Sequence, residues 1–316
     1  MKILANDGLA QNAIDKLREV GHEVSTSNVP QDQLIDHINN ENVDVLLVRS
    51  ATKVREDLID ACPNLKMIGR GGVGMDNIDV EYARNKGVNV FNTPASSSQA
   101  VAELVMSHLY SMARGLYDAN RQMPVNGLSD FKVLKKKYGK GIELRGKTLG
   151  IVGFGRIGQY LAKYALGNGM HVIAYDMYPI NVEIPIEING KVVHHEKVST
   201  GSLEDLLGNA DMISLHVPKQ SDGSAVIGST EIDKMKDGVL IVNTARGGSV
   251  DETALKSALA SGKVAAAALD VFENEPTPDT ELLQNDKLSL SPHIGAATVE
   301  AQARIGLEIV ENILKG

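Results

Sequence analysis

Residues 147–158 read Lys147-Thr148-Leu149-Gly150-Ile151-Val152-Gly153-Phe154-Gly155-Arg156-Ile157-Gly158. The apolar run ending at Val152 has strand length and Gln159 to Leu166 continues as a helix, so the three glycines sit on a strand-to-helix turn. The glycines serve different ends. Gly153 permits a tight turn, Gly155 lets backbone approach a pyrophosphate, and Gly158 lets helix pack on strand. The helix N-terminus then faces phosphate oxygens. The next apolar strand, His171 to Tyr175, ends at Asp176. That is ~20 residues on, where a carboxylate accepts the ribose hydroxyls of a dinucleotide. An anion there repels the extra phosphate of NADP, so the expected cofactor is NAD.

The same alternation of strand and helix continues to about Ser291, with strands near 171–175, 212–215, 239–242 and 265–269. It also fills the chain from residue 1 to about 95, through Ile3-Leu4-Ala5, Val45-Leu46-Leu47-Val48, Met67-Ile68 and Val88-Asn89-Val90-Phe91. With 316 residues, 43% of them hydrophobic, the chain exceeds what one core organises, and two domains are expected. A helical pattern from Ser97 to Arg114 crosses between them. The stretch Thr298 to Leu314, with Ala301, Ile305, Ile309 and Ile313 at helical spacing, returns to the first. The expected division is residues 1–95 with 291–316, and residues 96–290.

A net charge of -8 argues against nucleic-acid binding, which needs a dense basic surface. No apolar run approaches the ~20 residues of a spanning helix, so no membrane partner is expected. The first residues resemble a strand rather than a signal segment, and Cys62, the single cysteine, allows no intrachain disulfide. Cytoplasmic residence is the simplest expectation. Residues 184–193 read as a small hairpin turning at Asn189-Gly190. His194 and His195 have no acidic or thiol partner at metal-ligand spacing, so an exposed loop is expected there and no metal.

Three segments follow apolar strands: Asn243-Thr244-Ala245-Arg246-Gly247-Gly248, Leu269-Asp270-Val271-Phe272-Glu273-Asn274-Glu275-Pro276 and Ser291-Pro292-His293-Ile294-Gly295-Ala296. In open α/β sheets ligands lie at the carboxyl ends of strands, so these loops converge on one edge. Oxidising a 2-hydroxy acid needs a base near neutral pH, a group to orient it, and a cation for the substrate's oxygens. His293 fits the first role, Glu275 the second and Arg246 the third. Singly each admits a plainer reading: Arg246 as a surface ion pair, Glu275 as a cap beside Pro276, His293 as a satisfied loop histidine.

In order and spacing these motifs resemble the D-isomer-specific 2-hydroxyacid dehydrogenase family, and within it the short-form phosphoglycerate dehydrogenases. The resemblance covers nearly the whole chain. It implies an α/β fold of two doubly wound parallel-sheet domains, a flavodoxin-like substrate domain and a Rossmann NAD-binding domain, with a cleft between. Arg246, Glu275 and His293 would be the active-site trio. Cofactor contacts would fall at Gly153, Gly155, Arg156, Ile157, Gly158, Asp176, Val217, Pro218, Thr244, Ala245, Asp270, His293 and Ala296. The segments Val48-Arg49-Ser50 and Gly69-Arg70-Gly71-Gly72 match the family's substrate segments, so Arg49, Ser50, Arg70, Gly71 and Gly72 would hold substrate, the two arginines meeting a phosphate.

The implied activity is oxidation of D-3-phosphoglycerate to 3-phosphohydroxypyruvate, the entry to serine synthesis, by a homodimer formed through the cofactor domain. A glyoxylate or hydroxypyruvate reductase would use the same trio without phosphate recognition. A co-repressor that senses NAD and binds peptides is the reading from another class. The sequence departs from the family at several points. A lysine-rich run, Lys132, Lys135, Lys136, Lys137 and Lys140, stands where a tryptophan is common. These lysines would serve either as phosphate charge across a dimer interface or as a solvated helix face. Val73 replaces a usual threonine and Ser97 a common asparagine. The chain ends at Gly316, so feedback through a further C-terminal domain is not expected.

Overall fold

The computed structural model describes residues 1–315; Gly316, the last residue of the expected first domain, lies outside the described residues. The chain forms two compact units: Met1–Ala100 with the segment from Ala296 onward, and Val101–Gly295. The sequence pattern put the boundaries at 95 and 290. In the structure the first turn of the helix Ser98–Ala113 counts with the first unit, and the segment through Gly295 counts with the second. Hydrogen bonds from Ile294 and Gly295 to the carboxylate of Asp270 account for the latter.

Among the described residues the first unit holds strands β1 (Lys2–Ala5), β2 (Glu23–Ser25), β3 (Val45–Val48), β4 (Met67–Arg70) and β5 (Asn89–Asn92), in the order β2-β1-β3-β4-β5. All neighbours pair in parallel. This is the flavodoxin-like order. Every residue of β3 is buried, because a parallel sheet is covered on both faces. The helix Gln11–Glu19 and the returning helix Val299–Lys315 cover one face through Ala13, Leu17, Ile305 and Ile309. Leu34, Ile38 and Leu58 cover the other. Gly306 allows the two helices on the first face to touch, since a β-carbon there would stand 2.7 Å from that of Ala13.

The second unit holds β6 (Thr148–Val152), β7 (His171–Tyr175), β8 (Asn181–Ile188), β9 (Lys191–Ser199), β10 (Met212–Leu215), β11 (Val239–Asn243), β12 (Val264–Leu269) and β13 (Leu288–Leu290). Six of these form a parallel sheet in the order β13-β12-β11-β10-β6-β7. β8 and β9 form a separate antiparallel hairpin, longer than the one expected, turning at Asn189 and Gly190 with φ of 51° and 73°. Positive φ at both positions is the turn that matches strand twist.

Two expectations need correction here. His194 and His195 lie on β9 rather than in a loop, and the Nε2 of His194 stands 3.0 Å from Oε2 of Glu196. That partner is not evident from the sequence, because residues two apart share a face only once the segment is a strand. Lys137, on the helix Phe131–Tyr138, is not simply a solvated lysine: its Nζ lies 2.6 Å from the buried Asp118, which also accepts from the Tyr138 hydroxyl at 2.7 Å. These two donors hold the Asp118 carboxyl below its ordinary range despite burial. Among the described residues no helix is long and apolar enough to cross a membrane.

Candidate active site

The glycine loop leaves the carboxyl end of β6. Gly153 has φ of 94°, and a β-carbon on it would stand 2.5 Å from the carbonyl oxygen of His216 and 3.0 Å from Val217. The loop therefore packs against the end of β10, where Val217 and Pro218 begin the next connection. Gly158 is equally constrained, its β-carbon falling 2.5 Å from the Gly153 oxygen. Gly155 is the opposite, with nothing within 4 Å. It caps the helix Arg156–Gly167, whose first turn receives no side-chain cap. Gly155 and Arg156 are exposed and Ile157 half-buried, so free N–H groups and open space coincide.

Asp176, half-buried just past β7, accepts from the Phe154 amide at 2.8 Å and from Tyr178 at 3.2 Å. It is tied to the glycine loop and keeps lone pairs for further donors. Across the same edge, the Oγ1 of Thr244 is buried with no hydrogen-bond partner among the described residues. An open cradle at Gly155, a carboxylate beside it and an unsatisfied hydroxyl on the same edge suit a dinucleotide.

The three strand-end segments follow β11, β12 and β13, which are successive neighbours in the sheet. The loop carrying Arg246 is braced by Asn243, whose Nδ2 donates to the Arg246 oxygen at 3.0 Å while its Oδ1 accepts from the Ala245 amide at 3.1 Å. Arg246 itself donates from Nη1 to the Ala245 oxygen at 2.7 Å. Gly247 meets the Phe272 carbonyl so closely that any side chain would collide with it. That contact joins the first loop to the second. Reciprocal bonds between Glu252 and Glu273 reinforce it, each carboxylate accepting from the other's amide, at 2.8 and 3.2 Å. Burial pushes the Glu252 carboxyl up.

Glu275 joins the second loop to the third. Its Oε1 accepts from the Phe272 amide at 2.9 Å, and its Oε2 lies 2.8 Å from Nδ1 of His293. An ionised carboxylate only accepts, so Nδ1 carries the proton and Nε2 presents a lone pair. Both side chains are just over a third exposed, beside a cavity of about 400 Å³ walled by Phe272, Pro276, Leu283 and Leu290. His293 adopts a left-handed backbone, φ 55°. The loop is held in this shape by Asp270, only 1% exposed, which accepts from the amides of Ile294 at 2.8 Å and Gly295 at 2.9 Å and from the Ser291 hydroxyl at 2.6 Å.

The structure thus brings Arg246, Glu275 and His293 to the carboxyl edge that also carries Gly153, Gly155, Gly158, Asp176, Val217, Thr244 and Ala245. Asp270 sits beneath that edge, bonded within the His293 loop. Ala296 falls in the first unit by one residue. His216, to which the sequence assigned no role, is half-buried under the glycine loop, with Nδ1 shut off from solvent and Nε2 3.0 Å from Ser214 Oγ. Burial pushes it down to about 3, so it stays neutral and does not compete as a base.

In the first unit, Arg49 and Ser50 follow β3 and Arg70 ends β4, adjacent in register through the Val48–Arg70 pair. Gly71 lies within 3.7 Å of the Arg49 side chain, measured from an added β-carbon. The Arg70 guanidinium lies across Gly72, where any side chain would displace it.

The sequence model described as "D-isomer specific 2-hydroxyacid dehydrogenase, NAD binding domain" matches residues 106–295. The chain is 46% identical to a hydroxypyruvate reductase of Thermotoga maritima, over 99% of this chain and 97% of that protein. It is 44% identical to a D-3-phosphoglycerate dehydrogenase of Methanocaldococcus jannaschii, over 100% of this chain but 57% of that longer protein. Among solved structures, the TT0316 protein from Thermus thermophilus superposes with a TM-score of 0.83 at 32% identity, covering 99% of this chain and 96% of that one.

Proposed function

Since this chain belongs to the D-isomer specific 2-hydroxyacid dehydrogenases, NAD-dependent oxidoreductases, we propose that it oxidises D-3-phosphoglycerate to 3-phosphohydroxypyruvate. Bound NAD supplies the acceptor for the hydride that leaves the carbinol carbon. The glycine loop holds its pyrophosphate and Asp176 its ribose. His293 takes the hydroxyl proton on Nε2, and Glu275 stabilises the imidazolium from the other side. Arg246 clamps the substrate carboxylate and steadies charge developing on the oxygen. Arg49 and Arg70 take the phosphate, and Ser50, Gly71 and Gly72 line that contact.

The observation that carries the substrate assignment is the placing of two guanidinium side chains at the carboxyl ends of neighbouring strands, β3 and β4. A dianionic phosphate suits two such groups; a neutral hydroxymethyl group does not. The protein also acts, on this reading, as a homodimer through the second unit, supported by the exposed apolar side chains Val125, Leu128, Phe131 and Val133. Sedimentation of a monomer at working concentration would rule the dimer out.

A second reading, hydroxypyruvate reduction, is favoured by the relative of that name, which this chain matches over 97% of its length. Turnover on phosphorylated and unphosphorylated acids separates the two. Arg49→Ala should raise KM for phosphoglycerate about tenfold or more, the loss of a charge-assisted contact worth ~1.5–3 kcal/mol, with kcat less affected. A preference for the unphosphorylated acid, indifferent to Arg49→Ala, selects the second reading.

A further inference from the structure

We propose that His108 is a positioning residue for the loop that carries His293, acting through Ser291 and Asp270. The inference rests on the reading of His293 as the acid–base group.

His108 lies within the helix Ser98–Ala113, among the apolar residues Val105, Leu109 and Met112, and is 6% exposed. Its ring bridges two hydroxyls, with Nδ1 2.9 Å from Ser289 Oγ and Nε2 3.1 Å from Ser291 Oγ. The direction of each bond follows from the far end. Ser291 Oγ donates to Asp270 Oδ1 at 2.6 Å, so its proton is committed and its lone pair must accept from His108 Nε2–H. A neutral ring then carries no proton on Nδ1, which accepts from Ser289. Burial pushes the His108 ring toward this neutral form, against the pull of the Asp270 charge.

All donors therefore point one way, from Ser289 through His108 and Ser291 to the carboxylate. Each bond in such a chain polarises the next. Asp270 also accepts from the amides of Ile294 and Gly295, the two residues that follow His293. His293 has a positive φ without being glycine, a backbone state that persists only where its surroundings impose it. The restraint comes from Asp270, and His108 is the buried ring that aims it through Ser291. Any buried imidazole needs partners for its nitrogens; what sets His108 apart is that one of them, Ser291, donates onward to the carboxylate that holds the amides after His293.

The test compares His108→Leu, which keeps apolar bulk, with His108→Gln, whose amide can again donate toward Ser291, and with His293→Asn as control. In the NAD-bound enzyme, His108→Leu should lower kcat about tenfold to a hundredfold, the scale of a small misplacement of a reacting group. KM for the acid and the NAD dissociation constant should stay within about threefold, and His108→Gln should recover most of kcat. Wild-type kcat in His108→Leu overturns the proposal. So does equal loss in both His108 variants that tracks their melting temperatures. Should His108→Leu fail to fold, Ser291→Ala cuts the same link outside the helix and must show the same kcat-selective loss; unchanged kcat there is equally fatal. Wild-type kcat in His293→Asn instead marks failure of the acid–base reading, and takes the proposal with it.

Discussion

The two sheets have the same winding. Counted in chain order within each parallel sheet, both reverse between their first and third strands, β1 and β3 in one unit and β6 and β10 in the other. A doubly wound sheet opens a crevice at that reversal. The crevices differ in what lines them. In the second unit the loop after β6 is Gly153 to Gly158, with open space at Gly155 and an uncapped helix behind it. In the first unit the loop after β1 is Asn6-Asp7-Gly8, and its side chains fill the gap. Asn6, 3% exposed, donates to the Val29 oxygen at 3.1 Å and to Thr52 Oγ1 at 2.9 Å, and accepts from the Val29 amide at 2.9 Å. Asp7 accepts from the amides of Arg49 at 2.6 Å and Thr52 at 3.1 Å and from the Thr52 hydroxyl at 2.6 Å.

Topology thus makes two crevices, and residue type decides which is a site. Free N–H groups and an absent side chain invite a pyrophosphate onto the loop itself, whereas a carboxylate that uses the local backbone donors leaves none for it there. The plug in the first unit has its own use, since Asp7 holds the backbone of Arg49, the proposed phosphate ligand.

The largest effect that would break this contrast lies with the chemistry assigned to the second unit's edge. His293→Asn should cut kcat by roughly 10²- to 10⁴-fold while NAD titration shows affinity retained. Undiminished turnover would leave that edge as a binding surface without its base. Next comes the open glycine. Gly155→Val meets no neighbour, so its melting temperature should match wild type, yet NAD affinity should fall roughly 10- to 100-fold, an intrusion of ~1–3 kcal/mol. Gly8→Val, at φ 85° and also without neighbours, should cost ~1–2 kcal/mol of stability and leave NAD affinity alone. Equal affinity losses at both glycines would erase the distinction between the crevices. The smallest effect sharpens it from the plugged side: Asn6→Ala should cost about 1–2 kcal/mol in denaturant unfolding by orphaning the Val29 amide, with the NAD dissociation constant unmoved. Altered NAD binding in that variant would mean the first crevice is not merely structural.

Much of this was legible along the chain because it is local chemistry. The glycine spacing, the strand-end segments at 243–248, 269–276 and 291–296, and the hairpin turn at Asn189-Gly190 each state their geometry within a dozen residues. Other features were not. Nothing in the helical stretch 97–114 sets His108 apart, and its partners are 181 and 183 positions away. Asn6 reaches Thr52 across 46 positions, and the collision that demands glycine at 247 comes from a neighbouring loop.

Periodicity and turn chemistry are written in neighbouring residues, so the chain alone specified two wound sheets, the dinucleotide turn and the residue types available for catalysis. Folding settled which loops meet, which donor answers which acceptor and which crevice stays open. Hydrogen bonds and steric exclusion depend on distances through space, and parallel strands bring together residues that sequence separation keeps apart.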